Sequence, residues 1–399
     1  MAAPSEGREH DLVLLGATGY TGRLAAGVLA ERGGDTRWAL AGRDLERLAG
    51  IARSLGVEVP LIHADSTDPS SMAALARSTR AVLTTAGPFA VHGDPLVDAC
   101  MEAGTHTCDI TGEVPWVRGL IDRHHERARE LGLRIVSFCG YDSVPSDLGV
   151  LALQEAVTAR HGSPAPLVEC LADPRGGGVS GGTVHSGMRL AEQRNAPGVR
   201  EYLTDPGALT PGERPPRRVD PMSVARVDGV WGTPFLMAGT NGRCVHRTNL
   251  LLGRPWGDRF VYEERMWSGR GAGGWLRARA LQAALGALAL GFATAPGRAL
   301  LGSVLPSPGE GPSESRRRRA SLHHHLIARD GERLLGRLHL SGAMDPGYEA
   351  TAVFLVECGL ATLEPGLETA GVLTPGAAFG RRLVERLEGA GFRFDLETT

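Results

Sequence analysis

Short apolar runs alternate with helical patterns along the first third of the chain. Such alternation is typical of an α/β fold with a doubly wound parallel sheet. After Gly140 the pattern changes and predicts a largely antiparallel sheet with interrupting helices, and from about Gly347 it becomes helical. The predicted strands of the first part are 12–16, 37–41, 59–63, 81–85, 107–110 and 134–138.

A glycine-rich turn joins the first predicted strand to the first predicted helix. Residues 12–22 read LVLLGATGYTG. In a strand–turn–helix unit the first glycine permits the tight turn, the second leaves room for a pyrophosphate, and the third lets the helix pack close to the strand. The alternative is a glycine turn without a phosphate ligand. The residues predicted to bind a dinucleotide here are Gly16, Thr18, Gly19, Tyr20, Thr21 and Gly22.

The residue after the second predicted strand indicates which dinucleotide binds. In NAD-binding units an acidic side chain about 20 residues after the glycines holds the ribose 2′-hydroxyl. Arg43 occupies that place here, and the first carboxylate is Asp44. A guanidinium group suits a 2′-phosphate. The sequence therefore predicts NADPH as the cofactor.

Two further loops follow predicted strands, at the sheet edge where open α/β folds bind ligands. Asp65 follows the third strand and is a cofactor candidate. The loop after the fourth strand is assigned to the ribose or nicotinamide, with a plain strand-ending turn as the alternative. Its residues are Ala86, Gly87, Pro88 and Phe89.

Three later segments supply further candidate site residues. Asp109 and Glu113 follow the fifth strand and either bind the nicotinamide ribose or hold the domain junction. Tyr141 follows the sixth strand and could protonate an enolate. The alternative is that it belongs to a domain hinge, in which the residues next to it cap the following helix. His185 comes shortly after the sequence SGGT at 180–183, whose amides could bind an oxygen. The alternative there is a tight glycine-rich crossing.

The composition of the chain argues against several kinds of partner and catalytic group. The 399 residues carry 43 basic and 45 acidic side chains, so charge indicates no nucleic-acid partner. The chain contains no lysine, which excludes a Schiff base, a lysine general base and a Tyr-x-x-x-Lys pair. Heavy Arg, Ala, Gly and Pro usage is typical of GC-rich genomes such as those of actinobacteria. The cysteines show neither a CxxC pair nor a metal-binding spacing, and the polar N-terminal segment contains no signal peptide. These features predict a cytoplasmic protein.

Three other segments allow more than one interpretation. The apolar run 278–295 is too short to span a bilayer, so it is a buried helix, a lid beside a lipid-like substrate or a peripheral membrane contact. The three histidines at 323–325 suggest a metal, but strand neighbours point to opposite faces, so no metal is predicted. The arginines at 316–319 form a solvated patch or dock an acidic acyl carrier protein.

Motifs across almost the whole chain resemble those of the saccharopine-dehydrogenase-like reductases, in the branch of the trans-acting enoyl reductases. The resemblance implies an NADP-binding Rossmann domain at 1–145, an α+β domain at 146–346, and C-terminal helices at 347–399 that return to the Rossmann domain. The matching motifs include GATGYTG at 16–22, AGPF at 86–89, DITGE at 109–113, GYDSVPSDLG at 140–149 and DPGYEATA at 345–352.

These observations favour an NADPH-dependent reductase of an apolar acyl or polyketide-type substrate, carried by a carrier protein or free. The simplest reaction is enoyl reduction in lipid or natural-product biosynthesis. One alternative is an imine or ketone reductase, because the same hydride geometry serves all three reactions. Another is a non-catalytic NADP-binding scaffold or sensor. A homodimer formed through the sheet of the second domain is a further hypothesis.

Overall fold

A computed structural model describes residues 7–176, 199–216, 223–294, 296–298 and 313–399. The chain forms two compact units. The first unit contains Met1–Val144 and Gly347–Ala390, and the second contains Pro145–Pro346 and Gly391–Thr399.

The first unit is built on a seven-stranded parallel sheet with the order β13-β6-β5-β4-β1-β2-β3. This is the doubly wound Rossmann order with one strand added at an edge, and it confirms the predicted fold class. The added strand is contributed by the C-terminal part of the chain, far from its neighbour in sequence. The strands are β1 His10–Leu15, β2 Trp38–Gly42, β3 Leu61–His63, β4 Thr79–Thr84, β5 His106–Asp109, β6 Arg134–Val136 and β13 Gly371–Leu373.

Helices cover this sheet, and local signals fix where several of them begin. Helix α3 begins at Pro69, and the Asp68 carboxylate caps it by accepting a 2.9 Å hydrogen bond from the Ser70 amide. The helices of this part are α1 Tyr20–Arg32, α2 Leu45–Leu55, α3 Pro69–Ser78, α4 Phe89–His92, α5 Asp94–Ala103 and α6 Val114–Glu130.

The second unit contains a mixed sheet with the order β14-β12-β11-β7-β10-β9-β8. Only β7 and β10 pair in parallel; the other neighbours in this sheet are antiparallel. The predicted hairpin at Asp330-Gly331 joins β11 to β12, and Gly331 has a φ of 57°. The strands are β7 Leu167–Arg175, β8 Ala225–Val227, β9 Val230–Thr233, β10 Val261–Arg270, β11 Ser321–Asp330, β12 Arg333–Gly342 and β14 Arg393–Thr398.

One face of the mixed sheet is covered by helix α7, Val144–His161. A Cβ at Gly149 would lie 3.0 Å from the Leu326 side chain, so the missing side chain allows close packing of the helix on β11. His324 is buried on this covered face, whereas His323 and His325 face the other side. Among its described residues the unit also contains the helices α8 Val199–Thr204, α9 Ala238–Leu251, α10 Gly271–Ala293 and α11 Glu314–Arg317.

The apolar run 278–295 lies mainly in α10, and burial there is confined to few positions. Ala278 is buried and Leu281, Leu285 and Leu288 are half-buried, but Leu290 is 67% exposed. The interpretation of this segment as an ordinary buried helix is therefore wrong. Among the residues that the structure describes, no helix is long and apolar enough to cross a membrane.

The C-terminal segment divides between the two units. A π-helical turn at Pro346–Ala350 leads into α12 Thr351–Thr362, followed by α13 Pro375–Phe379 and α14 Arg381–Gly389. The sequence predicts one helix over 375–389, but Gly380, with a φ of 54°, interrupts it. The expectation that all of 347–399 returns to the first domain is wrong for the last nine residues. There β14 pairs with β12, because its backbone completes the edge of the second sheet.

Candidate cofactor and active site

The turn between β1 and α1 has the geometry expected of a phosphate cradle. Gly16 has a φ of 96°, and a Cβ there would lie 2.8 Å from Thr85 Oγ1. A Cβ at Gly22 would lie 2.2 Å from the Gly16 carbonyl oxygen, so only glycine lets α1 approach the strand. At Gly19 the nearest atom to such a Cβ is the Gly16 carbonyl oxygen at 3.4 Å, and the space beyond is open. This arrangement fits a pyrophosphate above Gly19.

The start of α1 is arranged to receive an anion. Gly19 is the N-cap residue, and no side chain among the described residues caps the helix. The Thr18 carbonyl accepts a 2.9 Å hydrogen bond from Arg23, which holds the turn. The Tyr20 ring packs edge-on against Tyr348, with the ring centroids 4.9 Å apart. The amides of the first turn, including that of Thr21, therefore remain as the donors that would face the phosphates.

Arg43 directly follows β2, at the position where the sequence predicts a contact to the ribose 2′-phosphate. Its side chain is exposed after β2, and the described residues provide it with no hydrogen-bond or ion-pair partner. The neighbouring Asp44 caps α2 by accepting a 2.9 Å hydrogen bond from the Arg47 amide. The carboxylate next to Arg43 in sequence is thus used by the helix, and a guanidinium group is suited to a 2′-phosphate.

Asp65 lies at the same edge, just after β3, which pairs with β2. Its carboxylate accepts hydrogen bonds from the Thr67 amide and hydroxyl at 2.9 and 2.8 Å. These hydrogen bonds, with a smaller contribution from the charge of Arg43, lower the pKa of Asp65. Asp65 therefore stays ionised and orders the loop that follows β3.

The loop at 86–89 offers its backbone more than its side chains. The Ala86 amide donates to Thr84 Oγ1 at 3.2 Å, and Gly87 is exposed and precedes a cis peptide bond to Pro88. The Phe89 ring is buried against Trp116, with centroids 5.5 Å apart. Phe89 thus anchors the loop inside the first unit, and the backbone of the loop remains the part that a ribose or nicotinamide would contact.

Asp109 and Glu113 hold this edge together within the first unit. Glu113 accepts hydrogen bonds from the amides of Phe89 and Ala90 at 3.1 and 2.9 Å, which fixes the start of α4. Asp109 is buried and accepts a 2.8 Å hydrogen bond from the Ser137 hydroxyl. Burial raises the pKa of Asp109 to about 7, against the lowering effect of its hydrogen bonds. The observed contacts of both carboxylates are therefore internal supports of the cofactor loops.

Tyr141 is buried shortly after β6, near the carboxyl edge of the first sheet. Its amide donates to Thr351 Oγ1 at 3.0 Å, which ties the segment to the start of α12. The nearby Phe138 has a φ of 67°, an uncommon conformation for a bulky residue, and it redirects the chain after the strand. His185 and the SGGT sequence at 180–183 lie outside the described residues.

The second unit contains a buried polar cluster that the sequence reasoning missed. The Glu264 carboxylate accepts hydrogen bonds from the Ser146 hydroxyl at 3.0 Å and from the side-chain amide of Asn241 at 2.8 Å. Tyr262 and His246 line a small cavity of about 50 Å³ together with Glu264. The conspicuous GYDSVPSDLG sequence was the available signal, because it supplies Ser146 and also Asp147, which accepts a 2.5 Å hydrogen bond from the Thr248 hydroxyl.

Comparison with known proteins agrees with this geometry. A family model described as the saccharopine dehydrogenase NADP binding domain matches residues 12–136. One relative, from Mycobacterium tuberculosis, is provisionally named a trans-acting enoyl reductase. It is 40% identical to this chain, and the match covers 98% of both chains. Trans-acting enoyl reductases of Mycobacterium bovis and Mycobacterium leprae are 38% and 36% identical, over 96 to 98% of each chain. The chain belongs to the trans-acting enoyl reductase family.

The fold has a solved counterpart outside this family. Saccharopine dehydrogenase from Saccharomyces cerevisiae, in its apo form, aligns over 98% of this chain and all of its own, with a TM-score of 0.55 and 13% identity. That likeness concerns the fold alone. Membership of the family and the NADP-binding domain make the protein an NADPH-dependent oxidoreductase, and the mycobacterial relatives agree with the actinobacterial composition.

Proposed function

We propose that the protein reduces the carbon–carbon double bond of an enoyl thioester with an apolar acyl or polyketide-type chain. The observation that carries this proposal is similarity to trans-acting enoyl reductases over almost the full length of both chains. The cradle at Gly16–Gly22 and the unpartnered guanidinium of Arg43 support NADPH as the reductant. We place the reaction in lipid or natural-product biosynthesis in the cytoplasm.

Bound NADPH supplies a hydride, and the protein must handle the charge and the proton that remain. Addition of hydride to the β-carbon moves the double-bond electrons onto the thioester oxygen as an enolate. That oxygen needs a hydrogen-bond donor, and the α-carbon then needs a proton. The chain's task is therefore to place a donor beside the oxygen and to exclude water from the reacting carbons.

Tyr141 is our first candidate for that donor. It is buried at the sheet edge, and the hydrogen bond from its amide to Thr351 fixes its backbone. A phenol donates well when its surroundings stabilise the phenolate, and a chain without lysine must do this by other means. His185 and the amides at 180–183 remain the second candidates for proton donor and oxyanion contact.

The substrate carrier and the assembly of the protein are part of the same proposal. Arg316, Arg318 and Arg319 are exposed around α11, which suits an acidic acyl carrier protein, although Arg318 also pairs with Glu314 at the N-terminus of that helix. A homodimer through the second sheet stays a prediction.

A substrate panel tests the reaction. We expect loss of NADPH absorbance with enoyl thioesters of long apolar chains, and little or none with matched ketones and imines. Turnover of ketones or imines alone would replace enoyl reduction with one of those reactions. Tight NADPH binding without turnover of any member of the panel would indicate a scaffold or sensor and contradict the proposed activity.

A further inference from the structure

Helix α10 exposes an apolar surface in the second unit. Its N-terminal part is attached to the sheet, because the Thr233 hydroxyl of β9 donates to the Ala278 carbonyl at 3.1 Å. A Cβ at Gly274 would lie 2.4 Å from the Gly269 backbone, so glycine permits the close contact with the end of β10. On the outward side, Leu276 and Leu290 are 62% and 67% exposed. Ala280, Ala283 and Ala287 are exposed between these leucines at helical spacing on the same side, and an apolar surface that continues along a helix marks an interaction site.

The C-terminal part of α10 carries no charge on any side. Residues 280–293 read ALQAALGALALGFA, with Gln282 as the single polar side chain. An apolar helical stretch of this length, roughly 20 Å at 1.5 Å per residue, belongs in a protein core or at a membrane interface, because it is too short to span a bilayer. Its exposed residues exclude the core. Those residues include Ala280, Ala283, Ala284, Gly286, Ala287 and Ala289.

Aromatic and cationic residues lie at the N-terminal boundary of the uncharged stretch. Trp275 is 41% exposed, and the Arg279 guanidinium lies 5.9 Å from its ring centroid. Arg277 is also exposed, and no acidic side chain occurs anywhere in α10. Tryptophan and arginine concentrate at the headgroup level of bilayers, where the ring sits in the interface and the guanidinium meets phosphate. This charge distribution complements an anionic lipid surface.

We propose that α10 binds the surface of an anionic phospholipid bilayer. Residues 280–293 enter the boundary between headgroups and acyl chains, and Arg277 and Arg279 contact lipid phosphates with Trp275 beside them. The attached first turns keep the helix fixed to β9 and β10, so the protein is held at the membrane peripherally. Such docking brings an enzyme for apolar acyl chains to the phase in which those chains accumulate, and this consequence rests on the proposed function.

Vesicle co-sedimentation of the full chain tests the surface without using enzyme activity. We expect the protein to bind phosphatidylcholine vesicles that contain phosphatidylglycerol, and to bind pure phosphatidylcholine vesicles more weakly. The double variant Leu276→Glu/Leu290→Glu should lower the fraction bound at least tenfold. The matched control is Leu236→Glu, which alters a 74% exposed leucine outside α10 and should bind like the wild type.

A second variant separates charge from insertion. Arg277→Gln/Arg279→Gln should remove the preference for anionic vesicles while leaving the weaker binding to neutral ones. A circular dichroism spectrum and a cooperative thermal unfolding transition like those of the wild type show that each variant is folded. Wild-type protein that fails to sediment with either vesicle would overturn the proposal. A dimer in light scattering that the double leucine variant dissociates, without vesicle binding, would assign this face to a second copy of the chain. Either result leaves the test of enoyl reduction unaffected.

Discussion

Arg32, in the last turn of α1, donates a 2.5 Å hydrogen bond to the fully buried carboxylate of Glu357 in α12, 325 residues away in sequence. Arg386 of α14 pairs with the same carboxylate at 2.8 Å. The helix that begins at the phosphate cradle is thus joined to two C-terminal helices by one buried charge. This explains why residues 347–390 belong to the first unit although the second unit interrupts the chain.

Removing that charge should destabilise the first unit. Glu357→Gln leaves Arg32 without its acidic partner and leaves Arg386 with Glu364 alone, and the loss of hydrogen bonds to a buried charged group costs about 1.5–3 kcal/mol. Urea unfolding of the variant should show this loss in the free energy of unfolding. The control is Glu385→Gln, which removes an exposed pair with Arg381 at 3.7 Å and should cost less than about 1 kcal/mol. Equal effects of the two substitutions would contradict the structural role of Glu357.

Arg43→Ala should convert a preference for NADPH into near indifference between the two dinucleotides. Hydrogen bonds to charged groups contribute about 1.5–3 kcal/mol, so we expect roughly a 10- to 100-fold weaker NADPH affinity and unchanged NADH affinity. Titration calorimetry with both nucleotides measures this. Arg53→Ala, at an exposed arginine of α2, is the control and should change neither affinity. An equal loss for NADPH and NADH would show that Arg43 does not contact the 2′-phosphate.

Two glycines in α1 provide a matched pair for the close approach of helix and strand. A Cβ at Gly22 would collide with the Gly16 carbonyl at 2.2 Å, whereas one at Gly27 would meet the Leu55 side chain at 3.7 Å, an ordinary contact. Gly22→Ala should therefore lower the melting temperature and abolish NADPH binding. Gly27→Ala should keep NADPH binding and stabilise the helix by about 0.5–1 kcal/mol. If both variants bind NADPH like the wild type, the packing role of Gly22 is wrong.

The first unit could be predicted from sequence because its strands and its glycine turn are each specified by neighbouring residues. Buried parallel strands appear in the sequence as continuous apolar runs, such as Leu12–Leu15, and a glycine-rich turn is compatible with few local structures. Strand β13 could not be found this way. It has three residues, and its place beside β6 depends on the C-terminal segment packing on the first unit.

The second unit was harder because its buried helix α9 is polar. Asn241, Arg243 and Thr248 are buried in it and satisfied by hydrogen bonds rather than by apolar contacts. A search for apolar periodicity does not detect such a helix. For α10 the apolar sequence left burial as one of three interpretations, whereas the surrounding strands cover only its N-terminal part. Neither outcome is encoded in a local pattern.

Asp109 should make stability depend on pH. Burial raises the pKa of this carboxyl from 3.8 to about 7 in the folded protein. As the pH rises from about 4 to about 7, the unfolded chain ionises first, so the stability of the wild type falls relative to Asp109→Asn and then levels off. The full difference is on the order of 4 kcal/mol, at about 1.4 kcal/mol per pKa unit. Urea unfolding of both proteins across this range measures it. The free energy of unfolding of the control Asp35→Asn, at an exposed carboxylate, should follow that of the wild type at every pH. If Asp109→Asn also follows the wild type, the Asp109 carboxyl is already ionised at pH 5 and the prediction is wrong.

Tyr141→Phe decides between a proton donor and a hinge residue. The substitution keeps the backbone hydrogen bond to Thr351 and the buried ring, and removes only the hydroxyl. A proton donor typically contributes about 10²–10⁴-fold to rate. For a donor we therefore expect kcat for enoyl thioesters to fall by at least that lower factor, with NADPH affinity and melting temperature unchanged. Tyr202→Phe, in α8 of the second unit, is the control and should retain kcat. If Tyr141→Phe also retains kcat, the hydroxyl takes no part in the reaction and proton donation passes to the region around His185.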